Sequence, residues 1–142
     1  MSLATNLKAY WKLDESSGDA TDSKNGNTGV NTSVTYGAGK LGNCAIYNGS
    51  AYHTVADHST IKPTNAISIS LWVYISSTSN YQMLLAKGEN AGDTRSYEVR
   101  CFGTTTQIEF QLRAGGGYIA MRSTTALPTG VWTHLVVTRN GA

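Results

Sequence analysis

The chain has 142 residues, 14% of them charged, and a net charge of +2; it fits a single domain able to bury roughly 70% of its unfolded surface. The weak, scattered positive charge excludes a nucleic-acid footprint. No apolar run approaches the roughly 20 residues of a membrane-spanning helix, so a soluble chain is expected, with Met1-Ser2-Leu3 read as an expression leader.

Gly, Ser, Thr and Asn are abundant and Leu, Glu and Lys are thinly spread, a mixture that favours short strands joined by turns. Apolar residues alternate with a period of two, and no window sustains the helical period. Strands are expected over residues 7–13, 28–34, 44–47, 52–55, 67–75, 82–86, 97–102, 107–113, 118–122 and 131–139, with a short helical turn at 58–61 before Pro63. In "AISISLWVYIS", Ile67, Ile69, Leu71, Val73 and Ile75 share one face, while Ser68, Ser70, Trp72 and Tyr74 share the other. Both faces look partly buried, which predicts an interior strand, and Trp11, Trp72 and Trp132 are expected in the core.

"QIEFQLR" divides more cleanly, with Ile108, Phe110 and Leu112 opposed to Gln107, Glu109, Gln111 and Arg113. The preceding strand repeats the pattern, setting Tyr97, Val99 and Cys101 against Glu98, Arg100 and Phe102. Two adjacent strands thus predict a sheet with one wet face. Glu98 and Glu109 read there as surface ion pairs with Arg100 and Arg113, worth little. Cys44 and Cys101 could form one bridge, but without a CxxC pair or a His cluster they read as buried thiols. The sequons Asn31-Thr32-Ser33 and Asn48-Gly49-Ser50 are what such a composition produces by chance.

Taken in order, five stretches carry a resemblance: "LKAYWKLDESSGDATDSKNGNTG", "GKLGNCAIYNGSAYHTVAD", "ISISLWVYI", "LLAKGE" and "LPTGVWTHLVVTRNG". Together they resemble the laminin G-like domains of the concanavalin A-like lectin/glucanase superfamily, although Tyr47 and Asn48 replace a usual Phe and Asp. The resemblance implies an all-β, antiparallel jelly-roll β-sandwich of the concanavalin A-like type. In that family further strands follow the turn that Asn140-Gly141 begins, so the expectation is a sandwich lacking its last strands. Unpaired edges then predict a homo-oligomer through sheet edges.

The resemblance also implies a function, a non-catalytic module binding carbohydrate or a glycoprotein, within a larger secreted or cell-surface protein. Sugar sites on such sandwiches combine an aromatic platform with planar polar side chains. Tyr81, Phe102 and Tyr118 near strand ends, with Arg100, Gln111 and Arg113 on the wet face, are the candidates. Some relatives hold calcium, which takes carboxylate and carbonyl oxygens. One candidate site uses Asp22, Asn25 and Asn27, and a second uses Glu89, Asn90 and Asp93, which look like the calcium loop of the related pentraxins. The alternative function is a structural or protein-interaction domain, as in a surface or phage fibre protein. A glycan hydrolase fragment ranks third, because the E-x-D-x-x-E string of the glucanase members is absent and no triad is evident. His134 reads as a packed, hydrogen-bonded residue and not as a base.

Overall fold

The computed structural model describes residues 5–63, 66–78, 81–88, 96–114 and 117–140. Among them are ten strands: β1 (Gly29–Thr32), β2 (Thr35–Ala38), β3 (Asn43–Ile46), β4 (Tyr52–Val55), β5 (Ile67–Tyr74), β6 (Gln82–Lys87), β7 (Tyr97–Cys101), β8 (Gln107–Ala114), β9 (Gly117–Ala126) and β10 (Trp132–Arg139). Every pairing between them is antiparallel. The described residues contain no α-helix, and the expected helical turn is a 3-10 turn at Ser59–Ile61, capped by the His58 ring. No helix of the described residues is long and apolar enough to cross a membrane. The chain divides into two compact units, Met1–Asn65 and Ala66–Ala142.

The first unit holds two two-stranded ladders, β1–β4 and β2–β3. Its centre is small and partly polar, because Ala20, Val34 and Ala51 are buried together with Asp22 and Asn27. The expected strand at 7–13 is not formed; that segment makes one isolated bridge, Trp11 to Asp22. Leu13 sits at φ 58° and turns the backbone out of the extended region. Hydrogen bonds substitute for a ladder there: Trp11 donates its indole N–H to the Asn27 carbonyl (2.7 Å), and the Tyr10 amide donates to Asp22 Oδ1 (2.8 Å). A second positive φ, 60° at Ser33, ends the expected strand at 28–34 early, so that β1 stops at Thr32 and β2 starts at Thr35. Strand β2 carries no alternation and could not be anticipated. It forms because the Gly39–Gly42 loop folds tightly back, the Gly39 amide donating to the Gly42 carbonyl (2.8 Å). A Cβ at Gly39 would lie 2.7 Å from the Asn43 carbonyl oxygen, so only glycine fits.

The second unit is a two-layer sandwich in which the pair β10–β5 faces the sheet β6–β7–β8–β9. Ile75, Tyr97, Val99, Cys101, Ile108, Phe110 and Leu112 form its buried core, with Ile67, Ile69, Leu84, Leu85, Leu127, Leu135 and Val137 packed against it. These are the apolar positions of the alternation in β5, β7 and β8, each worth about 1.5–3 kcal/mol on full burial. Cys101 is a buried thiol, as expected; Cys44 is free as well but only half-buried.

Three expectations are overturned. Strand β5 has one partner among the described strands, β10, so it is an edge strand rather than an interior one. Its second face is open, which leaves Trp72 48% exposed; Trp132 and Trp11 are half-buried, and none of the three belongs to the core. The face of β7 and β8 expected to be wet is closed over its acids, with Glu98 only 1% exposed and Glu109 only 3%.

Candidate functional site

Two outward faces of the second unit carry side chains suited to recognition. The first is the polar face of the β6–β9 sheet. Strand register opposes Arg100 to Glu109, Glu98 to Gln111 and Glu109 to Arg122, so all five side chains share one face. Arg100 donates to Glu109 Oε1 through Nε (3.0 Å) and Nη2 (2.6 Å), and Gln111 Nε2 donates to the same oxygen (2.7 Å). Arg122 donates to Oε2 through Nε (3.2 Å) and Nη2 (2.7 Å). Arg100 Nη1 lies 3.0 Å from Glu98 Oε1 as an ion pair outside hydrogen-bond angles.

Burial alone would raise the Glu109 pKa, but the hydrogen bonds from Arg122, Arg100 and Gln111, with the Arg100 charge, hold it below the ordinary carboxylate value. A carboxylate so fixed in its ionised form is not the proton-bearing acid of a glycosidase, which requires a raised pKa. The acids are therefore not in the surface pairs expected from sequence: Glu109 is held by Arg100 and Arg122 and both acids are buried, while the Arg113 side chain lies outside the described residues. Arg122 sits in the part of β9 with no clear alternation, and only the register across β8 reveals it.

Two aromatic rings close the end of this face. Tyr81 and Phe102 meet edge to face with centroids 5.3 Å apart. The Arg100 guanidinium lies 5.0 Å from the Tyr81 ring centre, and that of Arg122 lies 3.1 Å from the Phe102 ring centre. Four of the six proposed sugar-binding residues, Tyr81, Arg100, Phe102 and Gln111, are thus brought together. Tyr118 of β9 is exposed, four residues from Arg122 on the same strand, and the side chain of the sixth, Arg113, lies outside the described residues. The polar groups of this cluster are directed at Glu109 and the guanidinium planes at the rings, leaving Tyr81, 57% exposed, as its main open surface.

The second face is the outer side of β5–β10. Trp132 is opposite Tyr74 and His134 is opposite Trp72, which places four rings on one surface. Tyr74 and Trp132 have centroids 5.6 Å apart, and Trp72 and His134 lie 5.0 Å apart at 33°. Ser70 Oγ and His134 Nε2 are 2.8 Å apart, a hydrogen bond that orients the imidazole over the indole. Trp72 and Tyr74 are 48% and 50% exposed, and His134 is exposed rather than packed as expected. The alternation in the sequence already set Trp72 and Tyr74 apart from the isoleucines; their number misleads, because rings so often signal burial.

The proposed calcium ligands have another occupation. Asp22 Oδ1 accepts the amides of Tyr10 (2.8 Å) and Lys24 (2.9 Å), while Oδ2 accepts those of Asn25 (3.2 Å) and Asn27 (3.1 Å) and the Asn27 side-chain amide (2.7 Å). Asn25 directs its amide to the Lys8 carbonyl (2.6 Å). Burial raises the Asp22 pKa, but these donors dominate and lower it to about 2. Five N–H donors occupy the lone pairs that Asp22 would offer to calcium, so its carboxylate does not fit the ion as arranged. Glu89, Asn90 and Asp93 lie outside the described residues. Among the described residues no group of three or more His, Cys, Asp or Glu could hold a metal ion.

An antiparallel sandwich with an aromatic outer face defines the class as a β-sandwich scaffold. Residues 47–142 match a laminin G model of the concanavalin A-like lectin/glucanase superfamily, and the chain belongs to that superfamily. No curated protein and no solved structure gives a significant match.

Proposed function

We propose that the chain is a non-catalytic, carbohydrate-binding module of a larger secreted or surface protein, and that sugar rings stack on the outer face of β5–β10. The observation that carries this reading is the ladder of Trp72, His134, Tyr74 and Trp132, open on a sheet whose other side is the core. Aromatic faces match the C–H side of a pyranose, and Ser70, His134 and the Trp and Tyr polar tips supply hydrogen bonds at its edge. Superfamily membership supports it, since that superfamily includes lectins. The cluster around Glu109 is a brace in this reading, with Tyr81 at most a secondary contact.

Binding to a panel of immobilised and soluble oligosaccharides tests the proposal. Affinity lost in Trp72→Ala and Trp132→Ala, and retained in Tyr81→Ala, supports it. Loss in Tyr81→Ala alone transfers the site to the β6–β9 face, and no binding by the parent chain rejects the reading.

One observation favours the alternative, an interaction domain that assembles through its edges. Ile119 and Met121 lie opposite Leu112 and Phe110 on the inner face of β9, yet they are half exposed, as is Val136 of β10. Between these strands runs a groove of about 240 Å³ lined by Phe110, Met121, Leu135 and Val137. Long apolar edges without Pro or Lys invite pairing with a second copy. Sedimentation that shows an oligomer converted to monomer by Val136→Lys supports this mode; a monomeric parent excludes it.

A further inference from the structure

We propose that Asn48 is an acceptor for an N-linked glycan and that Asn31, which heads the same Asn-x-Ser pattern, is not. The sugar donor, a polyprenyl-pyrophosphate oligosaccharide, is met by secreted and surface proteins, so a glycan at this position rests on that reading of the chain. The pattern sets an asparagine two residues before a Ser or Thr, and a transferase must reach the asparagine side-chain nitrogen. Both stretches satisfy the pattern, and the fold separates them.

Asn31 is fully engaged. It is half-buried in β1, opposite His53 of β4. Its Nδ2 donates to the Gly18 carbonyl (2.7 Å) and the Val34 carbonyl (3.0 Å), and its Oδ1 accepts from the Val34 amide (2.8 Å). A side-chain amide has two N–H hydrogens, and both are in use. A sugar on Nδ2 would take the place of one of them and push between β1 and the segment at Gly18.

Asn48 is arranged the opposite way. Asn48, Gly49 and Ser50 are all exposed in the turn between β3 and β4. Oδ1 carries the structural role of the side chain, accepting from the Ser50 amide (3.1 Å), the Ser50 hydroxyl (3.0 Å) and the Ala51 amide (3.0 Å). Among the described residues nothing accepts from Nδ2. Gly49 stands at φ 94°, and a Cβ added there would meet nothing within 4 Å, so the space beside the turn is open. Replacing one Nδ2 hydrogen by a sugar leaves Oδ1 and its three donors in place, which makes the turn and the glycan compatible.

In the transfer, Nδ2 gives a proton to a base of the transferase and bonds to the anomeric carbon of the donor. The bond from that carbon to the pyrophosphate oxygen breaks, and the lipid pyrophosphate leaves with the electron pair. Donors on Oδ1 ease loss of the proton, because they meet the negative charge that spreads over the amide. Ser50, the hydroxyl residue that the pattern requires, supplies two of them.

A purified single-subunit oligosaccharyltransferase that accepts Asn-x-Ser, supplied with a synthetic polyprenyl-pyrophosphate oligosaccharide, tests the proposal on the folded whole chain. Peptides of residues 28–34 and 45–51 give the intrinsic reactivity of each stretch, and mass spectrometry of proteolytic fragments reads the occupied asparagine. The folded chain should acquire a glycan at Asn48. Its rate there relative to Asn31 should exceed the peptide ratio about tenfold or more, since Asn31 reacts only from a locally opened form. Asn48→Asp, which keeps an acceptor oxygen in the turn and removes the nucleophile, should abolish transfer, and Ser50→Thr should preserve it. No glycan on Asn48 of the folded chain, or a ratio no greater than that of the peptides, overturns the proposal. Either failure leaves the β5–β10 platform as it stands, because transfer by the purified enzyme requires neither secretion nor sugar recognition at Trp72.

Discussion

The two outer faces of the sandwich unit use similar materials for opposite ends. On β6–β9, aromatic rings and charged groups are turned on one another: two guanidinium groups hold a single carboxylate and cover two rings, and the acids are sealed. On β5–β10 the rings lie side by side and open, with one hydrogen bond between Ser70 and His134 setting their orientation. The lesson is that residue type does not distinguish a brace from a platform. What distinguishes them here is whether charged groups are turned onto the rings, as on β6–β9, or the rings face outward, as on β5–β10.

Four ranked substitutions, with one acid titration, sharpen this contrast or break it. The largest effect is expected from Arg100→Ala, which strips one cation from Glu109 and the pairing cation from Glu98. Removing one partner of a buried pair typically costs about 3–5 kcal/mol, so urea denaturation of this variant should show a loss near the lower figure, with sugar affinity of the folded fraction intact. The same brace predicts a pH dependence. Because the folded Glu109 pKa is depressed, its contribution is complete above the ordinary carboxylate pKa and disappears as pH falls through the lowered folded value. Parent and Glu109→Gln should differ in stability above that window and converge as pH falls through it, so that the slopes of their acid titrations, followed by circular dichroism, differ only within it.

Next comes Asp22, a carboxylate braced by amides in place of guanidinium groups. With a pKa of about 2 against 3.8 for an unperturbed side chain, it contributes about 2 kcal/mol at neutral pH, lost as pH drops through 2. Asp22→Ala should remove that amount in thermal or chemical unfolding, and calcium should not restore it. Trp72→Ala is third: about tenfold weaker sugar binding, or about 1.4 kcal/mol, with less than about 1 kcal/mol of stability lost. A large destabilisation instead would mean that the platform is structural. The smallest effect belongs to Ser70→Ala, which removes the hydrogen bond to the His134 ring and should weaken binding about threefold by calorimetry, within the usual range of one neutral hydrogen bond.

Much of this architecture is legible in the sequence. The alternation in β5, β7 and β8 assigns Ile69, Val99, Phe110 and their neighbours to the core correctly, because side chains on a strand have only two sides. The same rule placed Glu98, Arg100, Glu109 and Gln111 together, and Tyr81 with Phe102 at their end. It could not show that the acids are buried, since exposure depends on what packs above a face. Nor could it identify Arg122, whose meeting with Glu109 depends on the β8–β9 register and its irregularity between Gln107 and Glu109. The segment at 7–13 makes a single bridge in place of a ladder, and it ends in a positive φ at Leu13 that no propensity of leucine announces. The hydrogen bonds of His53 with Tyr36 and Tyr47 were hidden because the three residues lie in three separate segments, none with a distinguishing pattern.

Arg100 has one further consequence, for how such a chain can diverge. Its single guanidinium answers to Glu98 on its own strand, Glu109 on the next and the face of Tyr81. Lysine offers a point charge without the planar fork, so even that exchange would leave at least one of the three unserved. Drift at any of these positions is tolerable only when the others change in step, and the group should pass between descendants as a linked set while the open rings on the opposite sheet vary one at a time.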